Sequence, residues 1–277
     1  MIANLKTVLK YAEEHKCAIG AFNTPTLEAL RAILDNAEEL NVPIIISHAE
    51  CHENEAPLDV IGPVMVLMAK NAKVQVCVHL DHGEHIDYIE RALKLGFSSV
   101  MYDGSALPYE ENVKNTRTVV AMAKKYNASV EAEIGALASR EGGSGNGGAV
   151  YTEPAEAKKF VDDTGIDALA CSFGTAHGIY KSKPKLDFER IKVIRKLTNI
   201  PLVMHGGSGL PHEDYLQAME CGVEKINYYS YMGRAGLNAA DEAIKSSKYS
   251  FYHEIAAEAY KGMKEDSLKA MKVFYKK

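Results

Sequence analysis

Three histidines that are far apart in the chain, His82, His177 and His205, each stand where an apolar run passes into a glycine-bearing loop. The first lies in His79, Leu80, Asp81, His82, Gly83, the second in Gly174, Thr175, Ala176, His177, Gly178, and the third in His205, Gly206, Gly207, Ser208, Gly209. Imidazole nitrogen is a common zinc ligand, and three protein ligands plus one open position is the usual catalytic arrangement. A lone histidine is more often a structural residue than a ligand. Three of them beside glycines at strand ends point to one metal site. His79 is set apart, because strand alternation directs it with Asp81 while His82 lies where the strand turns over. His15, His85, His212 and His253 fall in helical patterns and read as surface residues.

The elements that would position these residues follow a regular beat. Short apolar runs at 18–22, 43–47, 74–80, 98–102, 129–134, 168–173, 201–204 and 225–228 alternate with amphipathic stretches such as 27–40, 86–95, 110–126, 155–164, 188–197 and 213–221. Near-continuous apolar runs fit parallel strands buried on both faces. Eight strand-helix units in this length predict an α/β protein of the (β/α)8 TIM-barrel type, one domain over 1–277 with 249–277 as a C-terminal helical extension. A doubly wound sheet would need a glycine-rich turn after the first strand, where this chain has Asn23, Thr24 and Pro25. In a barrel, the ends of strands three to seven bring His82, Asp103, Glu133, His177 and His205 to one rim. Residues 136–149 carry five glycines and are too long for a plain connection, so they read as a mobile loop on the catalytic face.

Composition narrows the function. The 277 residues are 47% hydrophobic, enough for a sizeable core, and the net charge of -5 comes without a basic stretch interleaved with aromatics, which argues against nucleic acid. Residues 1–15 have helical spacing instead of a signal-peptide core, and no run reaches the length of a membrane span. Five scattered cysteines without a CxxC pair predict a reduced, cytoplasmic protein. Gly206, Gly207, Ser208 and Gly209, followed by a predicted helix, would offer backbone N–H groups and a hydroxyl to an anion, as phosphate sites after strands seven and eight of a barrel do.

Taken together, these stretches carry a resemblance that covers nearly the whole chain. Residues 21–23, 79–83, Asp103 to Ser105 with Leu107, Pro108 and 110–112, 131–135, His177 and Gly178 with Tyr180 and Lys181, 185–188 and 205–209 are similar to the class II, zinc-dependent fructose-bisphosphate and tagatose-bisphosphate aldolases. The resemblance implies reversible cleavage of a ketose 1-phosphate or 1,6-bisphosphate to dihydroxyacetone phosphate and an aldehyde, within carbohydrate metabolism such as glycolysis. It makes His82, His177 and His205 the Zn²⁺ ligands, Asp103 and Glu133 a second metal position, and Asp81 the acid/base at the C4 oxygen. Glu141, in the glycine-rich loop, would move the proton at C3. Asn23, Gly178, Lys181, Gly206, Gly207, Ser208, Asn227 and Ser230 would hold phosphate and substrate. A monovalent cation and a homodimer or homotetramer are further expectations of the family.

Departures from the family pattern gather at the far end of the substrate. Ala49 stands where the family often has Ser or Thr, the usual Asp, Pro, Arg motif near the last helices is replaced by Ser247, Lys248 and Tyr249, and Tyr228 and Tyr229 replace smaller residues after Asn227. The distal group is therefore expected to differ from phosphate, as in 6-deoxy-6-sulfofructose 1-phosphate, with His48, Ala49, His52 and Tyr229 around it. Three rival readings remain in the residues: a Schiff-base aldolase using Lys225 or Lys181, a non-catalytic sugar-phosphate-binding barrel, and a zinc hydrolase, which the absence of a lysine-bridged dimetal pattern weakens.

Overall fold

The computed structural model of the chain describes residues 1–135, 151–180 and 182–277. Strands β1 (Ile19–Asn23), β2 (Ile44–Ala49), β3 (Val76–Gly83), β4 (Ser99–Tyr102), β5 (Ser129–Ile134), β6 (Ala168–Cys171), β7 (Leu202–Met204) and β8 (Val223–Asn227) pair in parallel in chain order. Because β8 also pairs with β1, the sheet closes into the expected (β/α)8 barrel. Helix α1 (Leu5–His15) precedes the first strand. After the successive strands come α2 (Leu27–Leu40), α3 (Leu58–Asn71), α4 (Ile86–Leu95), α5 (Tyr109–Lys124), α6 (Pro154–Thr164), α7 (Phe188–Thr198), α8 (His212–Cys221) and α9 (Ser230–Lys245). The C-terminal segment is one long helix, α10 (Tyr252–Phe274).

Local chemistry sets these boundaries. Side chains of Asn4, Thr26 and Asp187 accept from the backbone N–H three residues on, which caps α1, α2 and α7. At the other ends, Gly96, Gly165 and Gly222 take the left-handed conformation that stops α4, α6 and α8. The helices bury one apolar stripe each, as Tyr88, Ile89, Ala92 and Leu93 do on α4. Among the described residues no helix is long and apolar enough to cross a membrane.

Register decides what fills the barrel. Paired residues of parallel neighbours share a face, so the ladder steps Asn23↔Ser47, Ser47↔His79, His79↔Ser99, Ser99↔Ser129 and Val203↔Lys225 put Asn23, Ser47, His79, Ser99, Ser129 and Lys225 on the inner side. Asp81, Glu131, Glu133 and Asn227 follow on the same face two residues along their strands. The outer faces of the strands carry the apolar core against the helices, while the interior toward the strands' C-terminal ends is polar. Buried polar groups are tolerated only when they are hydrogen-bonded or paired.

Helix α10 contributes to that outer core and packs mainly on α2 and α9. Its last residue, Phe274, is fully buried, with ring centroids 5.0 Å from Tyr215, 6.0 Å from Tyr228 and 6.5 Å from Phe22. Truncating such a ring leaves a cavity, and we expect Phe274→Ala to cost about 3–5 kcal/mol of unfolding free energy. Urea denaturation at constant slope checks this. A loss below about 1 kcal/mol would show that the helix end is not integral to the core.

Candidate active site

A break in one strand places the first candidate ligand. The register between β3 and β4 shifts between Leu80 and Gly83, and His82 takes a positive φ of 46°. This bulge lets two consecutive residues, Asp81 and His82, serve the same side of the sheet, where plain alternation would send them to opposite faces. Gly83 must then pass close to the next strand: a Cβ there would lie 2.7 Å from the carbonyl oxygen of Met101. Asp81 lies within β3, four residues before His85, the N-cap position of α4.

The structure brings the three predicted histidines together. Ring centroids are 4.5 Å apart for His82 and His205, 4.9 Å for His82 and His177, and 5.7 Å for His177 and His205. One nitrogen from each lies within 4.8 Å of the others, and His82, Asp103 and Glu133 form a second such group. His205 follows β7, His177 lies in the loop after β6, Asp103 follows β4 and Glu133 is on β5, which are the strand-end positions expected from sequence.

Hydrogen bonds fix the ring nitrogens. His82 Nδ1 is 2.8 Å from Asp103 Oδ2, and His205 Nε2 is 2.8 Å from Glu131 Oε1. Burial pushes the Asp103 carboxyl up, but the His82 hydrogen bond and charge, with Ser105, outweigh it and hold the group well below the usual range. For Glu131, burial is likewise outweighed, here by Lys225, His205 and His79, which bring its pKa down to about 2. Ionised carboxylates can only accept, so each histidine must carry its proton on the bonded nitrogen. The remaining nitrogens, His82 Nε2 and His205 Nδ1, face one another at 2.8 Å.

Two imidazole nitrogens at that distance share one positive species, a proton on His82 or a metal cation in its place. The surroundings favour one: four buried carboxylates, Asp81, Asp103, Glu131 and Glu133, are accompanied by a single buried lysine, Lys225. Burial lowers the pKa of His82, yet Asp81, Asp103 and Glu133 overcome that and raise it well above normal, while His177 and His205 are lowered by burial and by the His82 charge. Glu133 is raised well above the carboxylate range by burial and by Asp103, and its buried Oε2 has no hydrogen-bond partner among the described residues. Three grouped imidazoles with buried carboxylates around them are the donor set a divalent cation fits, the cation taking the place of the proton on His82.

Beside this cluster, Asp81 is fully buried and accepts from Asn23 Nδ2 at Oδ2 and from Asn227 Nδ2 at Oδ1, both at 3.0 Å. Burial pushes its carboxyl up, but His82, His205, Lys225 and His79 together depress it far below the usual range, so it is an acceptor poised at the barrel mouth. Both asparagines were expected to touch substrate. The structure gives their amide nitrogens to Asp81, and Asn227 Oδ1 remains buried with no partner among the described residues.

The expected phosphate residues also converge. Gly178, Gly206, Ser208, Asn227 and Ser230 line one small pocket with Asn23, His177, Tyr228 and Tyr229, whereas Gly207 is not part of that lining. Gly206 has φ 63°, and a Cβ there would lie 2.4 Å from the Ala176 carbonyl oxygen, so only glycine fits. Tyr180 donates to the Gly206 carbonyl at 2.8 Å, and Tyr215 donates to that of Gly207. Ser208 Oγ accepts from Tyr229 N at 2.8 Å. With carbonyls occupied by tyrosines, the loop's N–H groups and the start of α9 are what the pocket offers an anion.

At the distal end the sequence expectation needs one correction. Ala49 pairs with Asp81 and shares its inner face, but His48 pairs with Leu80 and points out of the barrel. It is fully buried with Nε2 2.9 Å from Tyr88 Oη, and burial lowers its pKa to about 4. His48 is thus a packing residue, not a substrate contact. His52 lies in the short turn Glu50–His52 with its ring centroid 5.3 Å from that of Tyr229. Tyr228 faces the helices and donates to Asp266 Oδ2 at 3.0 Å. Glu141 and Lys181 lie outside the described residues.

Sequence reasoning missed Glu131, Lys225 and Ser99 as part of this assembly and left His79 unexplained. A signal was available: Glu131 and Glu133, like Lys225 and Asn227, stand two apart on one strand and so share the inner face.

The comparisons agree with the geometry. A family model described as "Fructose-bisphosphate aldolase class-II" matches residues 3–277. The chain is 36% identical over 250 residues to a fructose-bisphosphate aldolase of Staphylococcus aureus (strain Mu50), covering 89% of this chain and 87% of that one. The crystal structure of the YdjI aldolase from Escherichia coli K12 superposes with a TM-score of 0.87 at 34% identity, over 99% of this chain and 97% of that chain. A fructose-bisphosphate aldolase from Campylobacter jejuni, 23% identical, with a TM-score of 0.82 over 99% of this chain and 95% of that one, shares the fold. With its three clustered histidines and closed barrel, the chain belongs to the class II fructose-bisphosphate aldolase family.

Proposed function

We propose that this aldolase is zinc-dependent and cleaves a ketose 1-phosphate between C3 and C4, giving dihydroxyacetone phosphate and an aldehyde. The observation that carries the reading is the His82, His177 and His205 group, with His82 and His205 nitrogens facing one another, next to the clamped carboxylate of Asp81. A divalent ion held by His82, His177 and His205 supplies Lewis-acid polarisation where negative charge develops on the ketone side of the broken bond. Asp103 and Glu133 would offer a second position to the same ion.

This chain's own residues do the rest. The Asp81 carboxylate accepts the C4 hydroxyl proton as that oxygen becomes an aldehyde. Asn23 and Asn227 keep both of its oxygens aimed, and Asn227 Oδ1 is free to accept from a substrate hydroxyl. Gly178, Gly206, Gly207, Ser208 and Ser230, with Lys181, bind the 1-phosphate and so fix the reacting carbons against Asp81. Glu141 returns a proton to C3.

Lys225 does not support a Schiff-base route, because its Nζ is committed to Glu131 Oε2 at 2.7 Å in the barrel interior. Ala49 on the inner face and the His52–Tyr229 contact favour a distal group other than phosphate, whether sulfonate, carboxylate or uncharged.

Chelation should abolish turnover, zinc should restore it, and borohydride with substrate should leave no covalent adduct. Activity retained in verified metal-free protein would sink the metal reading. Asp81→Asn should lower kcat about 10²–10⁴-fold while zinc still binds; unchanged turnover would remove Asp81 from the chemistry. Triose phosphate release from fructose and tagatose bisphosphates, 6-deoxy-6-sulfofructose 1-phosphate and related ketose 1-phosphates reads the distal preference. A preference of orders of magnitude for fructose 1,6-bisphosphate would overturn the argument from Ala49.

A further inference from the structure

Lys225 is the one lysine or arginine among the described residues that is buried, with no exposed side-chain surface. A charged group in that position demands partners, and it has two. Its Nζ lies 2.7 Å from Glu131 Oε2 and 3.5 Å from His79 Nε2. An ammonium only donates, so His79 Nε2 accepts and His79 Nδ1 gives its proton to Ser99 Oγ at 2.8 Å. The other oxygen of Glu131 takes the proton of His205 Nε2 at 2.8 Å. From Ser99 to His205 the donor and the acceptor of every contact are thus set, with Lys225 giving protons to both sides and Glu131 accepting from both sides. The chain joins β4, β3, β8 and β5 to the residue that follows β7.

Resting on the reading of His82, His177 and His205 as a metal site, we propose that Lys225 is a positioning residue for the metal, acting through Glu131. By holding Oε2, the lysine leaves Oε1 turned toward His205, so that the imidazole keeps its proton on Nε2 and its lone pair on Nδ1, toward His82 and His177. Carboxylates that orient a ligating histidine in this way tune its basicity and direction. Here the carboxylate is itself held by a cation on a different strand. The same ammonium sits between His79 and Glu131, where His79, Asp81 and Glu131 would otherwise gather as a third cation-binding group. Lys225 therefore also keeps a divalent ion from settling one level below the rim.

A merely structural ion pair would show in stability and leave the affinity of folded protein for metal unchanged. The experiment is a zinc titration of metal-free protein against a competing chromophoric chelator, with the visible spectrum of the Co²⁺-substituted protein as second readout. Wild type, His205→Ala, Lys225→Met, Lys225→Gln, Glu131→Gln and the Lys225→Met/Glu131→Gln double variant are compared. Lys225→Met is expected to weaken zinc binding about 10–100-fold and to alter the Co²⁺ spectrum. Lys225→Gln, which keeps a donor without the charge, should fall between it and wild type. The double variant should be no weaker than the poorer single variant, because both act along one path. A Lys225→Met affinity within about twofold of wild type, or losses that multiply in the double variant, would overturn the proposal. If Lys225→Met does not fold, Lys225→Gln decides by the same two criteria. Wild type that binds no zinc, or His205→Ala that binds it undiminished, would instead sink the metal site itself.

Discussion

Two imidazole nitrogens, on His82 and His205, are turned toward one another at 2.8 Å inside a ring of buried carboxylates. Nothing in a protein holds that arrangement without a positive charge to share it, and much of the barrel mouth is arranged around this requirement. Asp103 and Glu131 fix which nitrogen of each histidine carries a proton. Removing either carboxylate would leave a ring free to turn its other edge inward. The polar interior that results is tolerable because its members are paired across strands, and the apolar layer outside supplies the stability that a polar centre does not.

The clamped Asp81 shows how the same field serves chemistry. A carboxylate buried without charged neighbours would be protonated and useless as an acceptor. Surrounding histidines and Lys225 reverse that, and the two asparagines hold its oxygens so that the group meets substrate already oriented. The pocket proposed for phosphate is built by a different means. There the tyrosines Tyr180 and Tyr215 occupy carbonyl oxygens of the glycine loop, leaving the amide hydrogens as its outward chemistry.

How much of this could be read in the residues depends on the physical signal each one carried. The barrel followed from eight apolar runs at regular spacing, and the three histidines from their place beside glycines at strand ends, since both are local patterns. His48 misled because it is adjacent to Ala49 in sequence, although alternation on β2 sends the two to opposite faces. Glu131 was passed over, and Lys225 was read only as a Schiff-base candidate, because their meaning lies in a contact between strands five and eight, which no local pattern expresses. The positive φ of His82 is of the same kind: a bulge is a property of two strands in register, not of one. Glu141 and Lys181 rest on resemblance.

That bulge has a mechanical consequence. Asp81 and His82 share a single peptide bond, so the proposed proton acceptor and a proposed metal ligand are joined by covalent geometry that no loop movement can alter. The residues proposed to meet the substrate's distal end come from separate segments, Ala49 on β2, His52 in the turn after it and Tyr229 before α9, which can be exchanged or shifted one at a time. The barrel mouth is in this sense divided into a part that tolerates no variation in spacing and a part that invites it. Changes of aldehyde partner can accumulate at the second without the reacting groups losing their alignment at the first.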